Sequence, residues 1–165
     1  MADDGAGAAA LHRLEAGWDL PAGVELLDLG TPGPYFAEYL RGFDAVIVLD
    51  ALGTKGEPGT VVVYADAELP AGPAGTRLTP HAIDLGAARA TLEFEGDAPS
   101  RWFAVGVVPA RIEAGIGLTP AVEAAIPAMA AAAAAELARL GIAVASRELE
   151  AAEGPRSGGP LHAGV

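Results

Sequence analysis

Asp4, Asp50 and His81 are the residues from which this sequence can be expected to build a reactive site. Asp50 closes the run Ala45-Val46-Ile47-Val48-Leu49. Five apolar residues in a row predict a strand buried on both faces of a parallel sheet. Open α/β sheets gather their ligands beyond the carboxyl ends of the strands, where Asp50 would stand. Asp3 and Asp4 precede a helix that would begin at the same edge, and His81 follows the turn Leu78-Thr79-Pro80 into another helix. Two carboxylates and an imidazole form an oxygen–nitrogen set suited to a borderline divalent cation such as nickel or zinc. Three ligands leave a position for substrate or water.

Each residue taken alone has a plainer reading. Asp3 or Asp4 can cap a helix and favour its positive end. Asp50 can accept from a loop amide. His81 can lie on the surface, as His12 and His162 are expected to, and Glu15, Glu25, Glu93 and Glu95 suit solvated faces. Gly5-Ala6-Gly7 falls short of a dinucleotide fingerprint, because no strand precedes it and the third glycine is absent. Ser100, Ser146 and Ser157 lie in loop-like stretches rather than in a nucleophile elbow.

The elements that must position these groups can be read along the chain. Residues 6–17 form a helix with Leu11 and Leu14 on one face and Gly17 at its end. Residues 24–29 read as a strand ending at Gly30, residues 35–40 as a short helix closed near Gly42, and residues 60–64 as a strand. A loop rich in Pro and Gly fills residues 65–80. The helix after His81 places Leu85 and Leu92 one heptad apart, and residues 102–108 form a strand. Thr119-Pro120 opens a last helix as N-cap and first residue. Val122, Ile126, Met129, Ala133, Leu137 and Leu140 share one stripe of it. Pro127 interrupts that pattern and predicts a kink or a broken first turn. The tail from Ser146 is Gly- and Pro-rich and expected to be mobile, giving a domain over residues 1–145 and a tail over 146–165.

Strands alternating with helices predict a three-layer α/β/α domain. Its 165 residues suit a single domain. A net charge of −12 argues against nucleic acid and anionic membranes as partners. The absence of cysteine removes disulfides, thiolate ligands and cysteine nucleophiles. The N-terminus has no signal-peptide pattern, and the alanine-rich stretch around residues 124–135 reads as a helix of a soluble fold, so a cytoplasmic location is expected.

Taken in order, several segments resemble the hydrogenase maturation protease family. Asp3-Asp4-Gly5-Ala6-Gly7 is similar to the family's acidic-Gly-x-Gly segment, and Asp28-Leu29-Gly30-Thr31-Pro32-Gly33 to its second-strand turn. Residues 43–51 resemble its third strand, which ends in an aspartate, and Leu78-Thr79-Pro80-His81 its histidine motif. Residues 106–109 and 115–120 resemble its final strand and the approach to its last helix. The resemblance implies a mostly parallel, phosphorylase/hydrolase-like twisted sheet. It also implies an endopeptidase that removes the C-terminal extension of a NiFe hydrogenase large-subunit precursor. The metal contacts it implies are Asp4, Asp50 and His81, with nickel carried by the substrate and no intrinsic cofactor. Glutamate is common in the family where Asp4 stands.

One departure matters. The resemblance implies a first, central strand before the acidic motif, lying between the second and third strands, and that strand is missing here. Its loss would leave unpaired edges, so a start codon upstream of Met1 is expected. Two other functions compete: a non-catalytic binding module or maturation chaperone of the same fold, and, last, a small nucleotide- or cofactor-binding domain.

Overall fold

The computed structural model describes residues 3–30, 32–69, 85–111 and 117–147. Helix α1 runs over Ala6–Gly17, followed by the two-residue strand β1, Trp18–Asp19. A 3-10 turn at Gly33–Tyr35 leads into α2, Phe36–Tyr39. Strands β2, Ala45–Ala51, and β3, Val61–Ala65, come next. Helix α3 covers Leu85–Glu95, β4 Arg101–Val107, α4 Pro120–Arg139 and β5 Ala145–Ser146.

The main sheet has the order β2-β4-β3. Strands β2 and β4 pair in parallel, with Asp50 opposite Gly106, and β3 joins the other edge of β4 antiparallel. The expectation of a mostly parallel sheet therefore becomes a mixed one. Period-two patterning is the same for either direction, so β3 gave no sign of its polarity. Central β4 is buried from Trp102 to Val107, as a strand covered on both faces must be.

Two helical layers cover the sheet, as expected for an α/β/α domain. On one face α1 and α4 bring Ala6, Ala10, Val122, Ile126 and Met129 against Val105 and Val107. On the other, Phe36 from α2, Leu40 just after it, and Leu85, Ala88 and Leu92 from α3 pack on Val46, Val48 and Trp102. The heptad pair Leu85 and Leu92 thus faces the core. Arg41 bonds Glu38, Glu95 and Asp97, tying α2 to the end of α3. Asp66, at φ 36°, accepts from the Trp102 N–H and from Arg101 Nε across the sheet edge.

Several expectations need correction. Residues 24–29 form no strand; they have no ladder partner among the described residues, and strand propensity without a partner fixes nothing. The first turn of α4 is not broken at Pro127: the helix runs on through it, with Pro127 on the exposed face. There water can reach the carbonyl that a missing N–H leaves free. The helix is long and apolar enough to cross a membrane by composition, yet its stripe from Val122 to Leu137 packs into the core. Ser146 and Arg147, expected in the tail, join the folded body. Ser146 pairs with Trp18, and Arg147 bonds Asp19 Oδ1 and the carbonyls of Glu15 and Ala16.

Candidate active site

Helix α1 begins directly on the end of β2. A Cβ on Gly7 would lie 2.2 Å from the Leu49 carbonyl oxygen and 3.4 Å from Asp50 Cα. Only glycine permits that approach of helix to strand, and it brings Asp4 to the carboxyl end of β2, where Asp50 stands. Both carboxylates line one cavity of about 490 Å³.

Asp50 is partly buried, and its Oδ1 accepts the Ala51 N–H at 2.7 Å. Burial pushes its carboxyl up to about 6, against the pull of the Ala51 amide and with a further push from the negative charge of Asp4. Desolvation and a like charge both disfavour the ionised form, and a cation bound between the two acids would relieve the repulsion. A carboxyl poised there can also exchange a proton near neutral pH.

The neighbouring aspartate has a different role. Asp3 is fully buried and does not cap α1, whose N-cap is Gly5 with no side-chain hydrogen bond. Its Oδ2 accepts from the Ala110 N–H at 2.9 Å, the Arg111 N–H at 3.0 Å and the Thr119 hydroxyl at 3.1 Å. Its Oδ1 accepts from the Thr119 N–H at 2.8 Å. Burial alone would raise its pKa, but the combined donors from Thr119, Arg111 and Ala110 hold it below the ordinary aspartate value. Thr119 is the N-cap residue of α4, as expected, but its hydroxyl serves Asp3 rather than the helix. Asp3 thus fastens the turn that carries Asp4 to the exit of β4 and the start of α4. Sequence reasoning missed this clamp because its donors lie 107 to 116 residues away.

Of the three expected site residues, Asp4 and Asp50 come together. His81 lies outside the described residues, as does the turn Leu78-Thr79-Pro80 before it. Among the described residues no three His, Asp or Glu side chains form a metal-binding group. His12, the one histidine among the described residues, is on α1 and exposed.

A family model described as hydrogenase maturation protease matches residues 9–136. The hydrogenase 2 maturation protease of Escherichia coli (strain K12) is 36% identical over 127 residues, 76% of this chain and 77% of its own. The hydrogenase expression/formation protein HupD of Rhodobacter capsulatus is 36% identical over 144 residues, covering 87% and 69%. Among solved structures, the hydrogenase maturating endopeptidase HybD from E. coli superposes with a TM-score of 0.78 at 32% identity, over 90% of this chain and 91% of that one. A NiFe hydrogenase maturation protease HybD from Thermococcus kodakarensis gives 0.59 at 28% identity, covering 81% and 88%.

Proposed function

The chain belongs to the hydrogenase maturation protease family, and from that premise we propose that it removes the C-terminal extension of a NiFe hydrogenase large-subunit precursor by gripping the nickel that the precursor carries. It is a hydrogenase maturation endopeptidase of the α/β class. In the proposed reaction Asp4, Asp50 and His81 are the protein's ligands to that ion, and the remaining positions belong to the precursor. The observation that supports this reading most is the pair of acids at one cavity, with Asp50 held near neutrality by burial and by Asp4.

The metal is then cargo rather than a resident cofactor, and it serves as a handle. Fixing the precursor by its metal holds the neighbouring peptide bond against the two acids, and such positioning can contribute roughly 7–11 kcal/mol to lowering a barrier. A precursor without metal lacks the handle and stays uncut. An aspartate beside the metal is the candidate base for the attacking water. The expected cytoplasmic location belongs to the same proposal, as does the absence of nucleic-acid and membrane partners.

Incubating the protein with nickel-loaded and metal-free precursor tests the reading. The loaded large subunit should shorten, the empty one should not, and Asp50→Ala should abolish the change. Undiminished cleavage by Asp50→Ala would reject the site. Binding of loaded precursor without any shortening would favour the binding-module alternative.

A further inference from the structure

We propose that Leu52 is a positioning residue for Asp50, and that position 106 is glycine so that Leu52 can enter beside it. Asp50 and Gly106 stand directly opposite one another in the parallel pair of β2 and β4. Side chains at paired positions project from the same face of a sheet, on strands about 4.8 Å apart. A side chain at 106 would therefore be the nearest cross-strand neighbour of the Asp50 carboxyl, and Gly106 supplies none. Leu52 takes the empty place. A Cβ on Gly106 would overlap Leu52 Cγ and Cδ1 outright and lie 3.0 Å from Cδ2. The branch of a residue two positions beyond Asp50 thus folds back over the strand opposite.

The backbone holds Leu52 to this place. Its N–H donates to the Val107 carbonyl at 2.8 Å, extending the pairing with β4 past the end of β2, and its carbonyl accepts the Thr54 N–H at 2.7 Å. Leu52 is 1% exposed, although Gly53 and residues 55–58 after it are open to solvent. Between Asp50 and Leu52, Ala51 is buried in the layer against α1 and α4, and its N–H holds Asp50 Oδ1.

These contacts direct the carboxyl. The Ala51 amide fixes one oxygen, but a short side chain at a strand end has other staggered rotamers open to it. Leu52 stands on the β4 side of Asp50, so it blocks rotation that way and keeps water from that flank. The cavity lies at the other edge of β2, and its described lining includes Asp4 and no residue of β4. A carboxyl barred from the β4 side is left to the cavity it shares with Asp4. Leu52 touches neither the metal nor the precursor in this scheme; it acts through Asp50. The proposal rests on the reading of Asp50 as a ligand to the precursor's nickel, but the placement of Asp50 can be measured without the reaction.

The test is made on the full chain, below the melting midpoint of every variant. With nickel-loaded precursor, Leu52→Ala should lower kcat about tenfold or more, because a misplacement of about 1 Å can cost on the order of 100-fold. KM should change by less than about threefold, since the other contacts to precursor remain. Leu52→Met refills the notch and should recover most of the rate. Leu92→Ala, a truncation deep in the layer of α2 and α3, should lower the midpoint and leave kcat as it is. Gly106→Ala displaces Leu52 from the β4 side and should lower kcat as well. Adding Leu52→Ala to it removes the overlap and should return part of that loss; a further loss would overturn the notch.

A second readout needs no precursor. The three-bond Hα–Hβ couplings of Asp50 should report one staggered rotamer in the parent and in Leu52→Met, and an average of rotamers in Leu52→Ala. Couplings in Leu52→Ala equal to the parent's overturn the proposal, and so does a kcat equal to the parent's. A parent that shows the expected couplings but cuts no precursor sinks the assigned reaction and leaves the placement of Asp50 by Leu52 standing.

Discussion

Asp3 and Thr119, 116 positions apart, are joined twice, by the Thr119 N–H to Asp3 Oδ1 at 2.8 Å and by its hydroxyl to Oδ2 at 3.1 Å. With the amides of Ala110 and Arg111, the Asp3 carboxylate receives four donors and has no exposure to solvent. It holds the start of the chain, the exit of β4 and the start of α4 at one point, one residue from Asp4.

Asp3→Ala should therefore cost at least about 3 kcal/mol, because each donor stranded in a buried place costs roughly 1–3 kcal/mol. Urea unfolding measures the loss. The folded pKa of Asp3 is depressed, so its contribution is present above the unfolded value of 3.8 and is lost as pH falls through the folded value. Asp3→Asn should narrow its deficit against the parent as pH drops below 4. A deficit independent of pH would show that the charge is not what binds these segments.

Asp50 titrates with the opposite sign. Its folded pKa lies at about 6 against 3.8 in the ordinary state, so the folded protein binds more protons between those values. The contribution is fully present below pH 3.8 and is lost as pH rises through 6. Asp50→Asn keeps an oxygen for the Ala51 amide and removes the charge. It should stabilise the protein at pH 7 by up to about 2–3 kcal/mol, at roughly 1.4 kcal/mol per pKa unit, with the gain fading below pH 4. Under the proposed reaction the same variant cannot cleave precursor. Stability gained by deleting a charge at the cost of activity is the usual mark of a functional group. Thermal melts of parent and variant from pH 3.5 to 7.5 provide the check.

The glycine that lets α1 meet β2 can be tested by size alone. Gly7→Ala would place a Cβ 2.2 Å from the Leu49 carbonyl oxygen, a backbone atom with no rotamer to yield. Overpacking of this kind costs roughly 1–3 kcal/mol or more. The helix must move away from the strand, carrying Asp4 from Asp50, so precursor cleavage should fall beyond what lost stability explains. Gly23→Ala meets nothing within 4 Å and should leave both unchanged. If Gly7→Ala melts with the parent, the close contact is wrong.

Helices α1 and α4 and strands β2 and β4 were legible because each carries a full period of apolar residues, from Val122 through Met129 to Leu137 or from Ala45 to Leu49. Where the pattern depends on a partner, it misled: residues 24–29 have the composition of a strand and no neighbour to pair with among the described residues. The convergence of Asp4 and Asp50 followed from strand-end logic. The division of labour between Asp3 and Asp4 did not, since two adjacent aspartates are alike in type and only the fold decides which one turns inward. His81 lies outside the described residues, and its part in the site rests on the family resemblance.

The last prediction concerns where the folded body ends. The Arg147 guanidinium donates to the carbonyls of Glu15 and Ala16 at 2.9 and 3.0 Å and to Asp19 Oδ1 at 2.7 Å. The two carbonyls belong to the last turn of α1, where no intrahelical donor remains and the dipole favours a cation. Beside it, Ala145 and Ser146 pair with Asp19 and Trp18. A chain ending at Arg147 should therefore be more stable than one ending at Val144. The ion pair is exposed and contributes little by itself, about 0.2–1 kcal/mol. The ladder and the capped carbonyls bring the expected difference to about 1–3 kcal/mol. Arg147→Lys keeps the charge but not the fork that reaches three oxygens at once, and should recover less than half of it. Equal unfolding midpoints for the chains ending at 144 and 147 would return these residues to the tail, and with them the boundary at 145 that the Gly- and Pro-rich composition suggested.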